Sequence, residues 1–314
     1  MSLNHMYDAT RDYFAAQWIL NAHENSRASY CEDLGSIRNY LDVEKALICG
    51  TGPTLNDHET NLKQIMMSKT ERKRYLIIAN HSNLATLLYW GITPDMVVIT
   101  DSGDPTFHRL ERDVLPHFKS MLKKQGTIFV LASHSAPPLL KLLNQYHMPI
   151  YLFVSALREL DGDTFSKFYN QIVSGMHPFD PRTHILQAGC VSNASVLVCN
   201  ALKLLGKVPN LSEVFLLGVD FGYPEGITRC CQVTYNKGSQ QFDVDNRPTF
   251  LGKEIQIVRY HDYPTSEEQM AYYRDLRFIQ QQMIEAQGDK APFKLYVSRN
   301  RDLLRDFLPT KPYF

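Results

Sequence analysis

Six short apolar runs, separated by segments long enough for a helix, limit this chain more than any other feature. They are Lys45–Gly50, Tyr75–Ala79, Met96–Thr100, Thr127–Ala132, Ile150–Val154 and Val214–Gly218. Each is apolar through its middle rather than alternating, which is how a strand buried on both faces reads. Between them lie the helix-length segments Asp57–Ser68, Ser82–Trp90 and Pro137–Tyr146, and the apolar helix Val191–Leu205 leads into the last run. Strand and helix in alternation require right-handed crossovers and a parallel sheet covered on both faces. The expected class is therefore α/β, with a mostly parallel sheet and helices on each side.

The flanks differ in texture. Residues 1–44 are polar and aromatic with helical spacing at Tyr13, Phe14, Trp18 and Ile19, and are read as an N-terminal helical extension. The core is read as 45–235. Residues 236–314 are read as a cover loop and hairpin, a long helix capped by Ser266 and running to about Ala286, and a last strand at Phe293–Ser298. The 314 residues would accommodate about two domains at ~150 each, but no linker or repeat divides them.

Composition narrows the class further. Lysine and arginine total 33 and aspartate and glutamate 33, a balance that argues against a nucleic-acid partner. No run approaches the ~20 apolar residues of a membrane span, and Met1–Arg11 lacks a signal-like apolar stretch. The six cysteines, at 31, 49, 190, 199, 230 and 231, show no metal-binding or disulfide framework. Cys49, Cys190 and Cys199 read as buried thiols. The expected location is cytoplasmic.

Four segments carry chemistry. Gly50-Thr51-Gly52-Pro53-Thr54 follows the first strand, where glycines admit a ligand to the backbone and hydroxyls offer donors to phosphate. It is neither a P-loop nor GxGxxG, and by itself it reads equally as a tight turn. In the second, Asp101 ends the Met96–Thr100 run with Asp104 three residues on. Either caps a helix or serves a ribose hydroxyl, an acceptor hydroxyl or Mg²⁺. In the third, Gly189 and Ser192 open an apolar helix whose N-terminus favours an anion. Small residues also suit helix–sheet packing there. In the fourth, Asp220 and Tyr223 follow the last core strand, placed to bind a hydroxyl and to stack on a base, or to fill a core.

Eleven histidines include His81 and His134 after strands and His261 before the long helix. His261 is a candidate general base if its loop covers the site. No G-x-S-x-G is present, so that hydrolase class is disfavoured.

Taken in order, Gly50-Thr51-Gly52-Pro53-Thr54-Leu55, then Gly91-Ile92-Thr93-Pro94-Asp95 leading to Asp101, then the helix opened by Gly189, then Leu217-Gly218-Val219-Asp220-Phe221 resemble one family. It is the 6-hydroxymethylpterin pyrophosphokinase-like family, which includes the Maf flagellin glycosyltransferases. The first and last segments are also similar to those of bacterial sialyltransferases, with Thr51 where those carry asparagine. The resemblance spans roughly residues 45–235 and implies a modified Rossmann-like fold binding a nucleotide or nucleotide-sugar donor. It implies that Gly50, Thr51, Gly52, Pro53 and Thr54 contact donor phosphate or ribose. Asn80, Asp101, Gly189, Ser192 and Asp220 would line the same crevice, with Asp101 or His261 as base.

The leading expectation is a glycosyltransferase, its donor phosphate held by the 50–54 loop and the helix opened at Gly189. An ATP- and Mg²⁺-dependent pyrophosphokinase acting on a hydroxymethylpterin is the alternative, with Asp101, Asp104 or Asp220 as ligands. A third reading is a binding protein that has lost catalysis.

Overall fold

The structure, a computed structural model, describes residues 15–159, 163–177, 179–187, 190–223, 227–246, 257–260, 263–286, 291–298, 304 and 308–313. The strands in chain order are β1 (Cys31–Asp33), β2 (Lys45–Cys49), β3 (Tyr75–Asn80), β4 (Met96–Ile99), β5 (Ile128–Ala132), β6 (Ile150–Ala156) and β7 (His184–Leu186). They continue as β8 (Glu213–Leu217), β9 (Gln232–Asn236), β10 (Gln241–Asp245), β11 (Val258–Tyr260), β12 (Tyr263–Thr265) and β13 (Lys294–Val297). All six apolar runs form strands.

Nine described strands make one sheet in the order β1-β6-β5-β4-β3-β2-β8-β13, with β7 beside the second half of β6. Every pairing in it is parallel; Leu47 of β2 lies opposite Ile77 of β3 and Phe215 of β8. The chain runs outward from β2 to β6 and then returns to place β8 on the other side of β2. Strand order therefore reverses between β2 and β8, and a crevice opens there at the strands' carboxyl ends. This is a mostly parallel, Rossmann-like α/β fold.

The helices are α1 (helical residues 15–25), α2 (Glu59–Met67), α3 (Lys69–Lys73), α4 (Leu84–Tyr89), α5 (Asp104–Arg109), α6 (Leu115–Gln125), α7 (Pro137–Gln145), α8 (Thr164–Met176), α9 (Val191–Leu204) and α10 (Glu267–Ala286). Successive strand residues point to opposite faces. Ala46 and Ile48 pack with residues of α9 and α10, while Leu47 and Cys49 pack with residues of α2, α4 and α7. Each buried leucine or phenylalanine of these layers stabilises the fold by about 1.5–3 kcal/mol. Among the described residues no helix is long and apolar enough to cross a membrane.

The flanks are bound into the core. The segment before residue 45 contributes α1 and also β1, which pairs with β6 through Cys31 and Ile150. On α1, Asn25 Nδ2 donates to the carbonyls of Ser133 and Ser135 at 2.9 and 2.8 Å, and Trp18 joins a small cluster with Tyr169 and Val173. At the other end β13 extends the central sheet beside β8. Among the described residues after 231, β9 pairs antiparallel with β10 and β11 with β12. None of the six cysteines pairs with another; Cys49, Cys199, Cys230 and Cys231 are buried. Cys190, expected to be buried, is only partly so, because it sits at the rim of the cleft described next.

Candidate functional site

A cleft of about 1000 Å³ lies along the carboxyl ends of β2, β3, β4 and β8. Its floor includes Thr51, Gly52, Asn80, Asp101 and Asp220, and it extends to both faces of the sheet. On one face stand the N-terminal turns of α9 and α10, with Ser192, Glu268 and Tyr272. On the other stand Arg109, at the end of α5, and Arg229, beside the buried Cys230.

The glycine turn is built by close packing. A Cβ on Gly50 would lie 2.3 Å from the Gly218 carbonyl oxygen, and one on Gly52 would lie 2.3 Å from Asp220 Oδ2. Gly218 has φ +65°, a left-handed conformation that glycine adopts without steric cost. The Thr54 amide donates to Asp220 Oδ2 at 2.9 Å, and the Thr54 hydroxyl donates to Asp220 Oδ1. Asp220 thus locks the turn from beneath. Only 2% of it is exposed, and burial pushes its carboxyl up to about 6, against the lowering from the Thr54 bonds.

Two expectations change accordingly. Gly50, Pro53 and Thr54 do not line the cleft; the hydroxyl of Thr54 is spent on Asp220, while Thr51 and Gly52 do line it. Tyr223 reaches the cleft, but it is 5% exposed and its hydroxyl meets Ser266 Oγ at 3.2 Å, so it is chiefly a packed aromatic. Asn80 lines the cleft while its Oδ1 accepts from the Ser82 and Asn83 amides at 3.0 Å. Ser192 lies at the rim on the first turn of α9. Gly189 and His261 fall outside the described residues.

Asp101 is the most accessible carboxylate on the cleft floor, its side chain 50% exposed. One oxygen, Oδ2, receives His81 Nε2 at 3.0 Å and Thr106 Oγ1 at 2.7 Å. Burial drives His81 down to about 4, against the attraction of Asp101, so its ring is neutral at pH 7 and its Nε2–H donates. His134 is also driven down to about 4 by burial, and its Nε2 meets the Thr100 carbonyl at 3.2 Å. Both rings fix the end of β4; neither is placed as a mobile base. Asp104 begins α5 and does not line the cleft. Among the described residues no three His, Cys, Asp or Glu side chains converge as metal ligands. Of the carboxylates considered for Mg²⁺, Asp101 is exposed in the cleft, Asp220 is buried against Thr54 and Asp104 does not line it.

Sequence spacing gave no notice of Asn83 or Arg109. Asn83 Nδ2 donates to the carbonyls of Cys49 and Gly50 at 2.6 and 2.7 Å, tying the ends of β2 and β3 together. Arg109 Nη1 donates to the Ser82 carbonyl at 3.0 Å and Nη2 to Gln232 Oε1 at 3.2 Å.

A family model described as "6-hydroxymethylpterin diphosphokinase MptE-like" matches residues 16–226. Among solved structures the chain is similar to one titled "Structure of MAf glycosyltransferase from Magnetospirillum magneticum AMB-1", at TM-score 0.57 and 14% identity. The likeness covers 95% of this chain and 38% of that one, and at this identity it speaks to fold. A comparison with curated proteins finds no match.

Proposed function

Because the chain belongs to the 6-hydroxymethylpterin diphosphokinase MptE-like family, we propose that it is a transferase using a nucleotide-activated donor, with a sugar as the group transferred. The donor would lie over the β2–β8 crevice, where ligands of open parallel sheets bind. One observation carries the reading. Asp101 stands half-exposed in the cleft with one oxygen, Oδ2, held by His81 and Thr106, an arrangement in which Oδ1 would serve the substrate.

In this reading Oδ1 takes the proton of the acceptor hydroxyl as that oxygen attacks the donor carbon. The carbon–oxygen bond to the nucleotide phosphate breaks, and its electron pair leaves on the phosphate. His81 and Thr106 keep the carboxylate oriented through the exchange, which is the role of a base's partners. The solved neighbour titled as a glycosyltransferase favours sugar as the group moved. The family description favours a second reading, diphosphoryl transfer from ATP. That chemistry uses Mg²⁺ on the phosphates, and of the three expected carboxylates only Asp101 is accessible in the cleft.

The test is a panel of CMP-, UDP- and GDP-sugars and ATP, each with Mg²⁺ and with EDTA, read by thermal shift and donor consumption. A ligand at 100 times its Kd stabilises by about 2.7 kcal/mol. We expect a nucleotide-sugar to shift the melting point in EDTA. Asp101→Asn should lower turnover by about 100-fold or more while leaving that shift in place. Response to ATP with Mg²⁺ alone would favour the second reading. Unchanged turnover in Asp101→Asn would remove Asp101 as the base, and binding without turnover in wild type would mark a binding protein.

A further inference from the structure

We infer that Arg109, with Arg229 beside it, forms the anion subsite of the cleft and takes the phosphate or diphosphate of the substrate. This assigns to two side chains the role the sequence suggested for the glycine turn, and it rests on the donor reading only for the phosphate's source.

Apart from Thr51, which lines the cleft, the donors of the turn are already committed. Its Gly50 and Gly52 amides donate to the Leu217 and Gly218 carbonyls, both at 2.7 Å. The Thr54 amide serves Asp220 and the Leu55 amide serves Gly52, while Pro53 has no N–H. Beneath Gly52 lies the Asp220 carboxyl, which when ionised repels a phosphate placed above it.

The other face of the cleft has the opposite character. Arg109 lines it, half-buried, and its two hydrogen bonds go to neutral carbonyl oxygens. No carboxylate among the described residues pairs with it, whereas Arg72, Arg112 and Arg182 each hold an aspartate. A guanidinium carries five N–H donors in a planar fork suited to phosphate oxygens. Burial first, and then the charge of Arg229, hold Arg109 below its ordinary pKa. An anion between the two would relieve that repulsion. A π-helical turn, Leu110–Val114, begins immediately after Arg109, an interruption that often marks functional sites.

The subsite is also wired to the base. Arg109 holds the Ser82 carbonyl, Ser82 Oγ meets His81 Nε2 at 2.9 Å, and His81 holds Asp101. An anion on Arg109 is therefore registered against the carboxylate assigned to the acceptor.

The experiment is calorimetric titration of the full chain with inorganic pyrophosphate, with nucleoside diphosphates and with the parent nucleosides. Wild type is compared with Arg109→Gln, Arg229→Gln and Arg109→Lys. We expect pyrophosphate to bind wild type, with Kd raised at least tenfold in both glutamine variants and less in Arg109→Lys. Nucleoside diphosphates should weaken in parallel while nucleosides do not, which identifies the donor phosphate as the group held. If pyrophosphate fails to bind wild type, or binds all folded variants within twofold, the inference falls. Should Arg109→Gln not fold, Arg229→Gln and Arg109→Lys decide it. Pyrophosphate binding that depends on Arg109, without any nucleotide binding, leaves the subsite standing and removes the donor reading. Nucleotide binding that ignores both arginines does the reverse.

Discussion

Replacing Asp220 by asparagine isolates one buried ionisation whose sign is unusual for a carboxylate hydrogen-bonded in a fold. Burial outweighs the Thr54 bonds and raises the Asp220 carboxyl from its ordinary 3.8 to about 6. Between those values the folded chain holds a proton that the unfolded chain has released. Stability from this group is therefore greatest below pH 4 and is lost as pH rises through 6. The gap of about two pH units corresponds to about 3 kcal/mol. Asparagine keeps the shape of the side chain, accepts from the Thr54 amide and can donate to its hydroxyl, while abolishing the titration. Urea unfolding of wild type and Asp220→Asn at half-unit steps from pH 4 to pH 7.5 gives a difference curve in which other groups cancel. The wild type should lose about 3 kcal/mol relative to the variant over that range, most of it by pH 6. A flat curve, or one in which the wild type gains as pH rises, would refute the claim that desolvation governs this site.

Other outcomes follow from the same geometry. Gly52→Ala places a Cβ against Asp220 Oδ2 and the Gly218 carbonyl; displacing the carboxyl breaks its bonds to Thr54 and should cost about 2–4 kcal/mol in urea unfolding. A loss below about 0.5 kcal/mol would mean the turn yields freely. His134 has the opposite pH sign to Asp220, since its ring is driven down to about 4 from 6.5 and the unfolded chain binds the extra proton in between. His134→Gln should recover about 3 kcal/mol relative to wild type as pH falls from 7 to 4, measured by urea midpoints; no relative gain contradicts a buried neutral ring.

The sheet was legible because buried parallel strands must be apolar on both faces, and runs such as Ile128–Ala132 have no other ready use. What escaped was short or polar. β1, Cys31–Asp33, carries two acids, and β7, His184–Leu186, has three residues, too few to show a period. In the site, Asp101 could be read from the sequence because the end of an apolar run marks the crevice edge. Thr54 and Asp220 were each visible as polar residues near glycine, but not that they satisfy each other. Arg109 and Arg229 belong to no motif; only folding brings β4's following helix and the Cys230 loop to one face of the cleft.

The pairing of Thr54 with Asp220 joins residues 166 apart in sequence, and β2 likewise waits for β8 to complete its second edge. Contacts so distant form slowly, since loop closure must precede their reward. On a ribosome adding about 5–20 residues each second, β2 would stand with one edge unpaired for roughly ten seconds or more. β3 to β6 can assemble meanwhile. The crevice between β2 and β8 is thus among the last parts of the molecule to exist, and a nascent chain acquires this cleft only once nearly all of the sheet has been made.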